Sequence, residues 1–221
     1  MHYFVDTNIP IGYTIPYDKW HDQSVNFIEN ISEIIYWSNL VKKEYETVLN
    51  SIIDDSEIFL DYICKTLKEN EKEFLNFFEF EEYLKKCTIA CKLDEIKKTK
   101  ILEKFWMECN ITEGLSYKLP EEFIMFSENL NMIYFKRDMK LKTNLVLHDC
   151  GLDNYRKYYD YAVELYHKGI HQPDCKIIVD AHDCGLTNNN LIFVSNDRKM
   201  VENISKIDVS YLHIVEFRTC N

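Results

Sequence analysis

Two apolar runs in this chain of 221 residues end beside an aspartate: His2 to Val5 stops on Asp6, with Thr7 and Asn8 directly behind it, and Leu191 to Ser195 stops just short of Asp197. A buried strand has no use for a carboxylate at its tip unless that tip opens onto a site. Two further acids stand at definable places. Asp174 follows Pro173 at a helix start, where backbone N–H groups favour a negative charge, and Glu44 lies in the second turn of a helix that follows "IIYWS". Each acid alone has an ordinary use, as a helix cap, a turn residue or a surface ion-pair partner. Brought to one place where water is scarce, they would repel one another, and a divalent cation would relieve the repulsion. Hard oxygen donors select Mg²⁺ or Mn²⁺ over zinc, and Mg²⁺ retains waters from which a nucleophile can be drawn. The chemistry implied is phosphoryl transfer.

The elements that would position these acids alternate. "HYFV" reads as a first buried strand, and "DKWHDQSVNFIEN" as a helix with Trp20, Val25, Phe27 and Ile28 on one face and Ser24 as the exception. "EIIYWS" reads as a second buried strand, and Ser38 as the N-cap of a helix with Leu40, Val41, Tyr45, Val48, Leu49 and Ile52 at helical spacing. Strand, helix, strand, helix favours a parallel sheet covered by helices. From 54 to 144 the texture changes to dense Lys and Glu mixed with aromatics. That stretch is expected to be a helical insertion within a single domain spanning 1–221, with Phe74, Phe77 and Phe78 on a buried face and a helix starting at Pro120. "TNLVLHD" fits either a strand or the lead-in to a helix. After it come a helix with Tyr155, Tyr159, Ala162, Val163 and Tyr166 on one side, and a second helix after Pro173 with Ile177, Ile178 and Ala181 inward and Gly185 at its end. "NLIFVS" is a further buried strand and "YLHIVEF" a final one. In open sheets of this kind the carboxyl ends of parallel strands share one edge, and ligands bind in the crevice there, so Asp6 and Asp197 become neighbours.

In these segments the chain resembles the PIN domains, a family of metal-dependent nucleases. The resemblance lies in "FVDTN", in "WSNLVKKEYETVL", in "PDCKIIVDAHDCG" and in "LIFVSNDRKM", which match in order the family's first acid with Asp-Thr-Asn, its helical glutamate, its helix-starting aspartate and its strand ending in Thr-x-Asp. Ser195 stands where Thr is commoner, and keeps the hydroxyl. The match covers the first fifty residues and roughly the last fifty. It implies a three-layer α/β/α fold with a mainly parallel central sheet, and a catalytic, metal-holding set of Asp6, Glu44, Asp174 and Asp197, supported by Asn8 and Ser195. It implies an endoribonuclease in which one or two Mg²⁺ or Mn²⁺ ions activate water for in-line attack on a phosphodiester, leaving a 5′-phosphate and a 3′-hydroxyl. Lys42, Lys43, Arg198 and Lys199, close in sequence to the acids, would position backbone phosphates.

Composition constrains the partners. A net charge of −11 repels a polyanion on average, so any contact with RNA, or with DNA, must be local. No apolar window approaches the ~20 residues that span a bilayer, and the start is neither basic nor long and apolar, so a soluble, cytoplasmic protein without a membrane partner is expected. The eight cysteines, at 64, 87, 91, 109, 150, 175, 184 and 220, include no Cys-x-x-Cys pair and are expected to be reduced and mostly buried. The nearest approaches to a soft-metal pattern are Cys87 with Cys91 and the His and Cys enrichment from His148 to Cys184. A haloacid-dehalogenase phosphatase needs a second aspartate two residues after the first, and Asn8 stands there. A phospho-receiver domain needs an acidic pair at its first strand that this chain lacks. The remaining rival is a catalytically inactive PIN-like scaffold or RNA- or protein-binding module; a homodimer or a protein partner is a separate expectation, through the aromatic face of the insertion if that face is exposed.

Overall fold

The run Leu191–Val194 has no polar side chain and needs cover on both faces, which the chain provides with helices. The structure, a computed structural model, describes residues 1–69, 73–87, 91–108, 114–115 and 119–220. Strand β1 (His2–Val5) is followed by α1 (Asn8–Thr14), α2 (His21–Asn30), β2 (Ile34–Ser38) and α3 (Asn39–Glu69). Next come β3 (Glu73–Phe74), α4 (Phe77–Lys85), α5 (Glu95–Glu108), β4 (Gly114–Leu115) and α6 (Leu119–Asn144). The chain closes with β5 (Leu145–His148), a 3₁₀ turn at Asn154–Arg156, α7 (Tyr159–His167), α8 (Asp174–Thr187), β6 (Leu191–Val194), α9 (Arg198–Ser205) and β7 (Glu216–Arg218).

Five of these strands form one all-parallel sheet in the order β5-β2-β1-β6-β7, and the fold is α/β in three layers. The chain steps from β1 to β2 to β5 in one direction, then crosses to β6 and β7 in the other. Right-handed crossovers therefore put α2 and the start of α3 on one face and α7, α8 and α9 on the opposite one. The central strands show the result: Phe4, Val5 and all of Leu191 to Val194 are buried, whereas Val146 and Leu147 on edge strand β5 are exposed. Register aligns the carboxyl ends. Val5 pairs with Val194, Ser38 with His148, and Val194 with Arg218.

The chain divides into two compact units, 1–48 with 137–221, and 49–136, where the change of texture along the sequence predicts one domain with an insertion over 54–144. The first unit carries the sheet. The second is helical, centred on the rings of Phe80, Phe105, Phe123 and Phe126, with Phe105 and Phe123 centroids 3.8 Å apart, and the pair β3–β4 is antiparallel. Phe74 is buried as expected and Phe77 half-buried, but Phe78 is not. Asn76 caps α4 by accepting the Glu79 N–H, which turns Phe80 and Leu84 inward and leaves Phe78 68% exposed.

Four more sequence expectations need correction. Helix α1 was not foreseen. Pro10 lies in its first turn, where the missing N–H costs nothing, and Gly12 is needed because a Cβ would stand 2.5 Å from Ser24 Oγ. In α7 the inward residues are Ala162 and Leu165, while Tyr159 and Tyr166 are exposed. Gly185 does not end α8, which runs to Thr187; a Cβ there would lie 1.8 Å from the His213 carbonyl oxygen, so its role is close approach of backbone to helix. The last strand is Glu216–Arg218 rather than the longer run from Tyr211, which is a turn up to His213. The described cysteines are free, with Cys175, Cys184 and Cys220 buried and Cys64, Cys87, Cys91 and Cys150 half-buried; Cys109 lies outside the described residues. No helix among the described residues is long and apolar enough to cross a membrane.

Candidate functional site

The sheet edge explains the aspartate at the end of β1. Asp6 continues the ladder, its N–H donating to the Val194 carbonyl at 3.0 Å, so its side chain emerges where the strands stop. The carboxylate is 6% exposed and held on both oxygens. Oδ1 accepts the Thr7 N–H at 2.7 Å, and Oδ2 accepts Asn8 Nδ2 at 2.6 Å and the Ser195 hydroxyl at 2.7 Å. Asn8 is fixed in turn, its Nδ2 also 2.9 Å from Ser195 Oγ and its Oδ1 accepting the Asn196 N–H at 2.8 Å. Ser195 Oγ also accepts the Asp197 N–H at 3.0 Å. The sequence therefore placed Asp6, Asn8 and Ser195 in one hydrogen-bonded group.

Glu44 arrives by a different route. Ser38 Oγ accepts the Val41 N–H at 3.2 Å and caps α3, whose buried stripe of Val41, Tyr45 and Leu49 fixes the helix rotation. Tyr45 is anchored further by hydroxyl contacts of 2.9 Å to both Thr14 Oγ1 and Asp138 Oδ1. Glu44 flanks that stripe, half-buried, and its Oε2 accepts the Thr7 hydroxyl at 2.7 Å. Asp174 opens α8, half-buried and without a hydrogen-bonded partner among the described residues. Asp197 is exposed and caps α9, its Oδ1 accepting the Met200 N–H at 3.0 Å.

Electrostatics joins the four. Burial, with the charges of Asp174 and Glu44 adding to it, pushes Asp6 up to about 7 against the opposing hydrogen bonds from Ser195 and Thr7. Asp174 is raised by burial first, then by the charges of Asp197 and Glu44. Asp6 thus feels Asp174 and Glu44, and Asp174 feels Asp197 and Glu44. The donor set is all carboxylate oxygen, with hydroxyl and carboxamide groups behind it, which suits a hard divalent cation. The side chains as they stand are not a finished shell: among the described residues, no three or more His, Cys, Asp or Glu side chains form a group that could hold a metal ion. Of the cations expected near phosphate, Lys43, Arg198 and Lys199 are exposed and Lys42 is half-buried.

Sequence reading missed the partners that act from a distance. Thr7 orients Glu44, and Ser24, wholly buried, accepts Asn196 Nδ2 at 3.0 Å. The only signals were a hydroxyl beside Asp6 and a serine on an otherwise apolar helix face. A second polar layer was also missed, at the ends of β2 and β5. There Asp180, 3% exposed, accepts Asn154 Nδ2 at 3.0 Å and is raised by burial. Burial opposes it, but hydrogen bonds from Tyr158, Lys157 and His148 bring Asp183 down to about 2. This layer absorbs His148, and His182 packs edge-on against Tyr158 and Tyr161 in the core. No protein-family model, curated protein or solved structure matches the chain, so the site stands on its own residues.

Proposed function

We propose that the chain is a Mg²⁺- or Mn²⁺-dependent endoribonuclease of the PIN-like kind. The observation that carries the reading is that Asp6 is raised by the charges of Asp174 and Glu44, and Asp174 by those of Asp197 and Glu44, so that carboxylates from four distant segments act on two of their number at the carboxyl edge of a parallel sheet. Residues that merely capped helices or dressed a surface would not need to share one edge at the cost of repulsion.

Asp6, Glu44, Asp174 and Asp197 would hold Mg²⁺ or Mn²⁺, and the ion would supply an activated water as nucleophile and positive charge against the phosphorus oxygens. The protein's part is positioning. Ser195, Asn8 and the Thr7 N–H fix both oxygens of Asp6, Thr7 Oγ1 fixes Glu44, and the Met200 N–H fixes one oxygen of Asp197. Asp174 keeps both oxygens for a ligand. Arg198 and Lys199 next to Asp197, and Lys42 and Lys43 next to Glu44, attract the substrate backbone towards an otherwise acidic protein. Single-stranded RNA in the cytoplasm is the substrate class.

The competing reading is a PIN-like scaffold that binds RNA or protein without cleaving; among the described residues no three or more His, Cys, Asp or Glu side chains form a group that could hold a metal ion. Incubation of end-labelled single-stranded RNA with the protein in Mn²⁺ or Mg²⁺ decides between them. Cleavage that EDTA, Asp6→Asn and Asp174→Asn each abolish is the expected result; a scaffold is indifferent to all three.

A further inference from the structure

A cleft of about 180 Å³ opens beside the acidic edge, lined by Lys19, Trp20, Gln23, Asn196, Arg198 and Thr219. Three separate segments build it: the turn into α2 with that helix's first residues, the turn after β6, and the chain that follows β7. Asn196 and Arg198 flank Asp197 in sequence, so whatever occupies the cleft lies next to the proposed catalytic acids.

Its chemistry runs against that of the surface. Carboxylates outnumber lysines and arginines by 37 to 26, and several lysines are in ion pairs, among them Lys140 with Glu29, Lys157 with Asp183 and Lys168 with Glu164. Lys19 and Arg198 have no carboxylate partner among the described residues. Two unpaired cations facing one cleft in an acidic protein mark an anion site. The cleft also carries an aromatic platform, the half-buried Trp20 indole, over one face of which the Lys19 ammonium lies 3.8 Å from the ring centroid. The cleft also holds amide groups that can read a base edge. Asn196 is 5% exposed and pinned by its N–H to Asn8, its backbone carbonyl to the Arg198 N–H and its Nδ2 to Ser24, so its side-chain Oδ1 is the atom left to offer, while Gln23 is exposed and free to adapt. The volume lies below the roughly 300–1,000 Å³ of pockets that enclose a whole small ligand. It suits one unit of a longer polymer.

We propose that this cleft is a subsite for a single nucleotide of a single-stranded substrate, with the base on Trp20, its edge at Asn196 and Gln23, and a flanking phosphate between Lys19 and Arg198. A base is free to stack on a side chain only when it is unpaired, which selects single strands. The inference deepens the nuclease reading and rests on it for the direction in which the strand continues, towards Asp197 and Asp6.

The test is fluorescence anisotropy of a labelled octauridylate in EDTA, where no hydrolysis intervenes, with the wild type, Trp20→Ala and Lys19→Glu. Both variants should bind about ten-fold more weakly, the change expected from loss of a stacking ring or a phosphate contact, and Lys19→Glu should lower the salt dependence by about one counterion. Lys19 is exposed, so its variant remains informative if Trp20→Ala fails to fold. Wild-type affinity in Lys19→Glu, or no binding by the wild type, overturns the subsite. Cleavage in Mn²⁺, assayed in parallel with Asp6→Asn, separates the two ideas. Trp20- and Lys19-dependent binding without any cleavage keeps the subsite and sinks the nuclease. Cleavage that needs Asp6 but proceeds with unchanged KM in Trp20→Ala and Lys19→Glu sinks the subsite alone.

Discussion

Thr7→Val isolates the contact that positions Glu44. Valine keeps the branched shape at a position 8% exposed and removes only the hydroxyl, which donates to Glu44 Oε2 at 2.7 Å. A hydrogen bond to a charged group is worth about 1.5–3 kcal/mol, and since Glu44 is half-buried the lower end, about 1.5–2 kcal/mol, applies. For a chain of this size each kcal/mol moves the melting temperature by roughly 2–4 °C, so Thr7→Val should melt about 3–8 °C below the wild type. Differential scanning fluorimetry in EDTA reads the shift, and Thr7→Ser, which restores the hydroxyl, should recover most of it. A double-mutant cycle with Glu44→Ala assigns the loss to the pair: the two changes together should cost less than their sum by about 1 kcal/mol or more. If Thr7→Val melts within 1 °C of the wild type, or if the cycle is additive, Thr7 does not hold Glu44 and the described route by which this acid reaches the edge is wrong.

Three further outcomes follow from other parts of the molecule. Gly185→Ala puts a Cβ 1.8 Å from the His213 carbonyl oxygen, a clash only backbone movement can relieve, and should destabilise by about 3 kcal/mol or more in urea titration, against the stabilisation an alanine normally brings to a helix interior. Burial first, then His213, lowers His182 to about 4; the folded state therefore binds this proton less readily than the unfolded chain, whose histidine titrates near 6.5. The associated stability is intact above pH 6.5 and is lost as the pH falls towards 4, by up to about 3 kcal/mol, and His182→Gln should flatten that part of the stability profile. Millimolar Mn²⁺, at about a hundred times its dissociation constant, should stabilise the wild type by ~2.7 kcal/mol relative to EDTA and raise the melting temperature by several degrees, and Asp174→Asn should abolish the increase.

What the sequence makes legible is what the backbone alone determines. A strand whose buried run Tyr3–Val5 leads into Asp-Thr-Asn sends its aspartate to the sheet edge whatever surrounds it, and Ser38 as N-cap with Val41 and Tyr45 at helical spacing sets the rotation of Glu44. Side chains whose roles depend on remote partners stay hidden: nothing near Thr7 announces Glu44, and nothing near Ser24 announces Asn196. Local punctuation misleads where packing overrides it. Pro10 and Gly12 both lie inside the seven-residue α1, where the first fits a helix start and the second a tight crossing with Ser24. Gly185 looks like a helix end and is a packing notch. Phe78 looks like a core residue because helical spacing was counted from Phe74, whereas the Asn76 cap starts the helix afresh and turns Phe80 inward.

The most direct test of the central claim is an anomalous difference map from crystals grown with Mn²⁺. A peak within coordinating reach of Asp6 and Asp174, with Glu44 or Asp197 completing the shell directly or through water, is the result expected. An empty map at that edge, or manganese bound elsewhere while the four carboxylates turn apart, contradicts it.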